Sequence, residues 1–188
     1  MNHAAPPGEP AWVTEVLAFW FSELDPEDWW RKSDDTDAKI RTRFLDLHEC
    51  IVATDGGRPD GPLATLATVL VLDQFSRNMF RDTPRAFAAD PLARRIAREA
   101  ITRGLDASLG AEERMFLYLP FEHSEHRDDQ ALSVRLFSQL GREGWTRHAL
   151  AHQLVIERFG RFPHRNAVLG RQSTPEEIAA LEDPASSF

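Results

Sequence analysis

The sequence predicts an all-α protein of seven to nine helices stacked as antiparallel hairpins. Three observations carry this expectation. Apolar residues recur at three- and four-residue steps, as at Ile40, Phe44, Leu47 and Ile51, which places them on one buried helix face. No segment alternates convincingly with period two, the pattern of a half-buried strand. Proline, glycine and capping residues punctuate the apolar stretches at helix-like intervals.

The elements follow in chain order. Trp12, Val16, Phe19 and Trp20 share one face of a first helix and are expected to pack inwards. Trp29 and Trp30 follow Pro26 in a turn-rich segment, where one of them can rim a pocket. The helix carrying Ile40 to Ile51 has Asp34 or Asp35 as its cap and Gly56-Gly57 as its stop. Cys50, beside Leu47 and Ile51, is expected to be an inert buried thiol.

A turn through Pro59-Asp60-Gly61-Pro62 leads into Leu63 to Phe75, apolar on nearly every side and so the central helix. Asp90 caps the next helix, with Pro91 at its first position and a stripe of Leu92, Ile96, Ala100, Ile101 and Leu105. A shorter helix from Ala111 to Leu119 is expected to stop at Pro120. Asp128 to Leu140 and Trp145 to Phe159 form an antiparallel pair across Gly141 to Gly144. Thr174-Pro175-Glu176-Glu177 opens a last helix with a cap, a proline and acids in its first turn. The expected organisation is a flexible N-terminus over 1–10, one helical domain over 11–183 and a tail over 184–188.

A chain of 188 residues with 42% hydrophobic and 28% charged residues has the make-up of one globular domain. Its formal net charge of −8 argues against sequence-independent nucleic-acid binding, which needs a basic face. All but two of the 22 basic residues are arginines, a bias towards fixed, bidentate contacts. One cysteine permits no intrachain disulfide and no CxxC motif, which suits a reducing, cytoplasmic setting. No apolar run approaches the roughly 20 residues that span a bilayer, so no membrane partner is expected.

Two segments place charge where a folding chain ordinarily puts apolar groups. One is Asp73-Gln74-Phe75-Ser76-Arg77-Asn78-Met79-Phe80-Arg81, and the other is Arg158-Phe159-Gly160-Arg161-Phe162-Pro163-His164-Arg165-Asn166. Guanidinium groups among aromatics are costly to desolvate unless each meets an anion, a carbonyl or a ring face. Either the segments are internal braces or they line a site for an anionic ligand. Asp73 and Arg77 are spaced for an intrahelical ion pair, and each needs a further partner if the face is buried.

Between them lies Glu122-His123-Ser124-Glu125-His126, dense in titratable groups suited to acid/base work, with Glu122 and His123 as the candidate catalytic pair. The bland alternative is a polar turn whose acids pair with arginines. His148 and His152, one turn apart, can bind a divalent metal if a carboxylate joins them. A histidine on an apolar face is more often a core residue, so no metal and no cofactor is assigned. No phosphate loop and no Gly-x-Ser-x-Gly nucleophile setting is present.

Taken together, Val16-Leu17-Ala18-Phe19-Trp20-Phe21, the Leu72 to Arg81 segment, Pro84 to Asp90, Leu117 to Glu125 and Arg161 to Asn166 resemble the bacterial family known as domain of unknown function 924. The resemblance runs from about Trp12 to Glu177. It implies an all-helical fold similar to tetratricopeptide-repeat superhelices and implies no activity. Ser76 stands where the family has proline, and Thr36 where it tends to have an aromatic residue.

The resulting expectation is a polar pocket. Asp73, Arg77, Asn78 and Arg81 meet Arg161, His164, Arg165 and Asn166 there, around a small anionic molecule or a peptide carboxylate. A tetratricopeptide-like interaction module with the motifs as braces, and a hydrolase-type enzyme using Glu122 or His123, are the alternatives.

Overall fold

A run of nineteen helical residues, Gly61 to Met79, forms the spine of the first part of the chain. It comprises α3 (Gly61–Leu70), a π-helical turn (Val71–Phe75) and α4 (Ser76–Met79), preceded by α1 (Ala11–Ala18) and α2 (Asp34–Ala53). The computed structural model describes residues 9–182. The flexible N-terminus expected over 1–10 lies mostly outside them, as does the tail over 184–188. The remaining helices are α5 (Asp90–Thr102), α6 (Ala111–Glu122), α7 (Arg127–Gln139), α8 (Glu143–Phe159) and α9 (Pro175–Leu181). The fold is all-α, with no strand among the described residues. None of the described helices is long and apolar enough to cross a membrane.

The chain packs as two compact units. The first holds the described residues up to Arg81 together with Arg85–Pro120; the second holds Asp82–Pro84 and the described residues from Phe121 onward. In the first unit, the rings of Phe19, Phe44 and Phe75 meet at centroid distances of 5.3, 5.9 and 4.8 Å. Trp20 joins them against Phe75 and Phe116, and all five side chains are at most 1% exposed. Trp29 stacks on Trp20 and its Nε1 donates to the Trp20 carbonyl at 2.8 Å, so it closes this core, while Trp30 is 59% exposed. In the second unit, α7 and α8 are joined across 140–142 and pack against each other, as a short connection requires.

Local details depart from expectation for identifiable reasons. Ser33, not Asp34 or Asp35, caps α2: its hydroxyl accepts from the Thr36 N–H. The inward stripe of α2 is Ile40, Phe44, His48 and Ile51, with Leu47 half-buried. Cys50 is exposed rather than buried, because it lies off that stripe. The cap of α5 falls on Ala89, with Asp90 already helical and Pro91 in the first turn. Pro120 does not end α6. It lies in the last turn, and the helix runs on through buried Phe121 to Glu122.

Candidate functional site

The first charged segment finds its partners within the first unit. The Asp73 carboxylate is fully buried in the π-helical turn, and Nη1 of Arg77 lies 3.0 Å from its Oδ1. Further contacts join this pair. Gln74 donates to Asp73 Oδ2 at 2.6 Å, and Arg77 forks onto both oxygens of Asp90 at 3.1 Å. One turn on, Asn78 donates to Asp37 Oδ1 at 2.7 Å, and Arg81 forks onto the same carboxylate at 2.7 and 2.8 Å. Burial raises the Asp37 carboxyl, but the Arg81 and Asn78 hydrogen bonds outweigh it and hold the group below its ordinary value.

The second charged segment is organised around Glu177, in the first turn of α9. Arg161 forks onto Glu177 at 2.7 and 2.9 Å, and Asn166 adds a bond at 3.2 Å. The Thr174 N–H completes a capping box at 2.8 Å. Arg161 and then Thr174 pull the Glu177 carboxyl down to about 2. Arg165 is buried and lies over the Phe162 ring, 4.5 Å from its centroid, whereas His164 is exposed. Glu125 is taken by a fork from Arg171 at 2.8 and 3.0 Å and by the Phe162 N–H at 2.8 Å.

Glu122 has a different setting. It ends α6 and its side chain is 2% exposed, yet no arginine takes it among the described hydrogen bonds. Its Oε1 lies 3.0 Å from Nδ1 of His148 and 3.6 Å from Nδ1 of His152. The two histidines, expected on one buried face, differ in exposure: the His148 side chain is 57% exposed and that of His152 only 7%. The helix turns His152 inwards with Ala149 and Ile156 and leaves His148 at the edge of that stripe. The His152 Nδ1–H donates to the His148 carbonyl at 3.0 Å, and the ring sits edge-on to Phe162.

These contacts set opposite proton affinities. The hydrogen bond to Glu122 raises His148 above its ordinary value despite burial. Burial pushes His152 down to about 4, with Glu122 opposing. His123 is half-buried and acts on His152 through its charge. One carboxylate oxygen and one nitrogen from each of the two rings all lie within 4.8 Å of one another. Such a set can hold a proton between acid and base or share a cation.

The sequence marks Arg77, Arg81, Arg161 and Asn166, and of the acids that engage them only Asp73. Asp90 and Glu177 give only helix-start signals, and nothing in the sequence singles out Asp37. Nor does the sequence join Glu122 to the His148/His152 pair, although the spacing of the pair calls for a carboxylate.

The family described as bacterial protein of unknown function, DUF924, matches residues 16–185. The structure of a protein of unknown function from Agrobacterium tumefaciens superposes with a TM-score of 0.85 at 40% identity, covering 90% of this chain and 96% of that one. No curated protein matches the chain.

Proposed function

The chain belongs to the bacterial family of unknown function DUF924, and on that premise we propose that its second unit binds a small anionic molecule, or a peptide carboxylate, at His148. The observation carrying this reading is the buried Glu122 carboxylate 3.0 Å from Nδ1 of an imidazole that is 57% exposed. A carboxylate so placed fixes the orientation of the ring and supports its protonated form, which attracts an anion. Exposure lets a ligand reach that ring. Desolvation first, and then the charge of Arg165, lowers His164 to about 4, so the fixed positive charge of this neighbourhood is that of Arg165. In a hydrolase-type reaction here, Glu122 with His148, or His123, moves the proton.

In this reading Asp73, Arg77, Asn78, Arg81, Arg161 and Asn166 brace the fold. Each is already engaged by an opposite charge or a side-chain hydrogen bond. A cytoplasmic setting belongs to the same reading and rests on the single cysteine. A second reading, a tetratricopeptide-like interaction module, is favoured by Leu150 and Leu154, exposed by 40% and 63% one turn apart on α8.

A thermal-shift screen of carboxylates, phosphates and short peptides tests the proposal. One class is expected to raise the melting temperature by several degrees in the wild type and not in His148→Ala. An equal shift in both proteins, or no shift from any class, contradicts it.

A further inference from the structure

We infer that Glu122, His148 and His152 form a binding site for a divalent transition-metal cation of the zinc class, held by one carboxylate oxygen and one nitrogen of each ring. The ligand types and their spacing carry this. Oε1 of Glu122 stands 3.0 Å from Nδ1 of His148 and 3.6 Å from Nδ1 of His152. These separations straddle roughly 3.3 Å, the edge of a tetrahedron built on bonds of about 2.0–2.1 Å. The ring centroids are 4.8 Å apart on consecutive turns of α8, so the helix itself sets the bite of the two imidazoles.

The surroundings hold these ligands in place. Gln130, fully buried, donates to the backbone carbonyls of Glu122 and Ser124, each at 2.7 Å, and so fixes the end of α6. The Phe162 ring walls His152 at 5.6 Å. Two imidazoles and one carboxylate suit zinc, cobalt or iron(II) better than calcium or magnesium, which prefer all-oxygen shells. Binding through Nδ1 gives up the His152 Nδ1–H bond to the His148 carbonyl and moves each Nδ1 proton to Nε2 or to solvent, so no oxidant or further reactant is needed.

Three protein ligands leave one position for water or for an anionic oxygen. The metal site does not rest on the anion-binding reading above, because a metal on His148 Nδ1 takes the place of the proton that reading requires.

The test uses tag-free, chelator-stripped protein titrated with Co²⁺ in the absence of organic anions. One Co²⁺ per chain is expected, with the visible absorption of tetrahedral cobalt, bleached by Zn²⁺. His148→Ala and Glu122→Gln are each expected to weaken Co²⁺ binding by more than about 100-fold, beyond the 10- to 100-fold typical of outer-shell changes. No cobalt absorption, or a His148→Ala protein that titrates like the wild type, overturns the site. The anion screen is then run in chelator and in Zn²⁺. An anion shift without a cobalt signal sinks the metal and leaves anion binding standing. A cobalt signal with no anion shift in either arm does the reverse.

Discussion

The Glu122 carboxylate lies 3.0 Å from Nδ1 of His148, and the two side chains stand at opposite extremes of exposure, 2% and 57%. A buried carboxylate is costly to desolvate unless a partner compensates it. Here the partner reaches in from the surface, so the pair connects a dry acid to solvent. His148→Ala is expected to fold with a loss of about 3 kcal/mol, the upper end for an unsatisfied buried acceptor because the group is a carboxylate, with His152 still 3.6 Å away. Urea denaturation measures this, and a variant that fails to fold contradicts it.

Arg77→Ala is expected to behave differently. It strips Asp73, fully buried, of its cation, and Asp90 of its fork. Breaking a buried pair from one side costs about 3–5 kcal/mol. A loss under about 1 kcal/mol by chemical denaturation contradicts the bracing role.

Acid stability reports on Glu177. Its folded carboxyl is held near 2 by Arg161 and the Thr174 N–H, below the ordinary 4.5. A depressed carboxyl adds stability that is fully present above the ordinary value and lost as pH falls from about 4.5 towards 2. Melting temperatures across that range are expected to fall less steeply in Glu177→Gln than in the wild type. Parallel slopes contradict the assignment.

His48 acts in a higher pH window. The ring is 4% exposed, and its Nε2 lies 2.9 Å from Ser76 Oγ. Burial, followed by the charge of Arg85, lowers it from 6.5 to about 4. The unfolded chain therefore takes up a proton that the native state refuses. Stability is fully present above about 6.5 and falls as the pH drops towards 4. His48→Asn is expected to flatten that slope, and an unchanged slope argues that the ring titrates normally.

Cys50 is exposed and lines a surface cavity of about 680 Å³ with Trp12 and Arg58. One equivalent of thiol is expected to react with a disulfide reagent in the native protein. A thiol that reacts only after denaturation contradicts this placement.

The helices themselves were legible because their signals are local. The step from Phe44 to Ile51, the turn at Pro59 to Pro62 and the Thr174 cap all act within a turn or two of chain. Registers were less so: Leu47 and His48 compete for one inward position, and only packing decides that the histidine takes it. The partners of the charged motifs were hidden for a different reason. Asn78 meets Asp37 across 41 residues and His148 meets Glu122 across 26. Periodicity names the face of a helix but not the residue on another element that will stand opposite.

If His148 holds the ligand while the Arg-Asn segments brace the fold, mutation separates the two roles. Ligand-induced melting shifts compared in the wild type, His148→Ala and Arg77→Ala test it most directly. The shift is expected to survive in Arg77→Ala, despite its lower starting stability, and to disappear in His148→Ala. A shift kept by His148→Ala and lost in an Arg77→Ala protein of wild-type stability would contradict it.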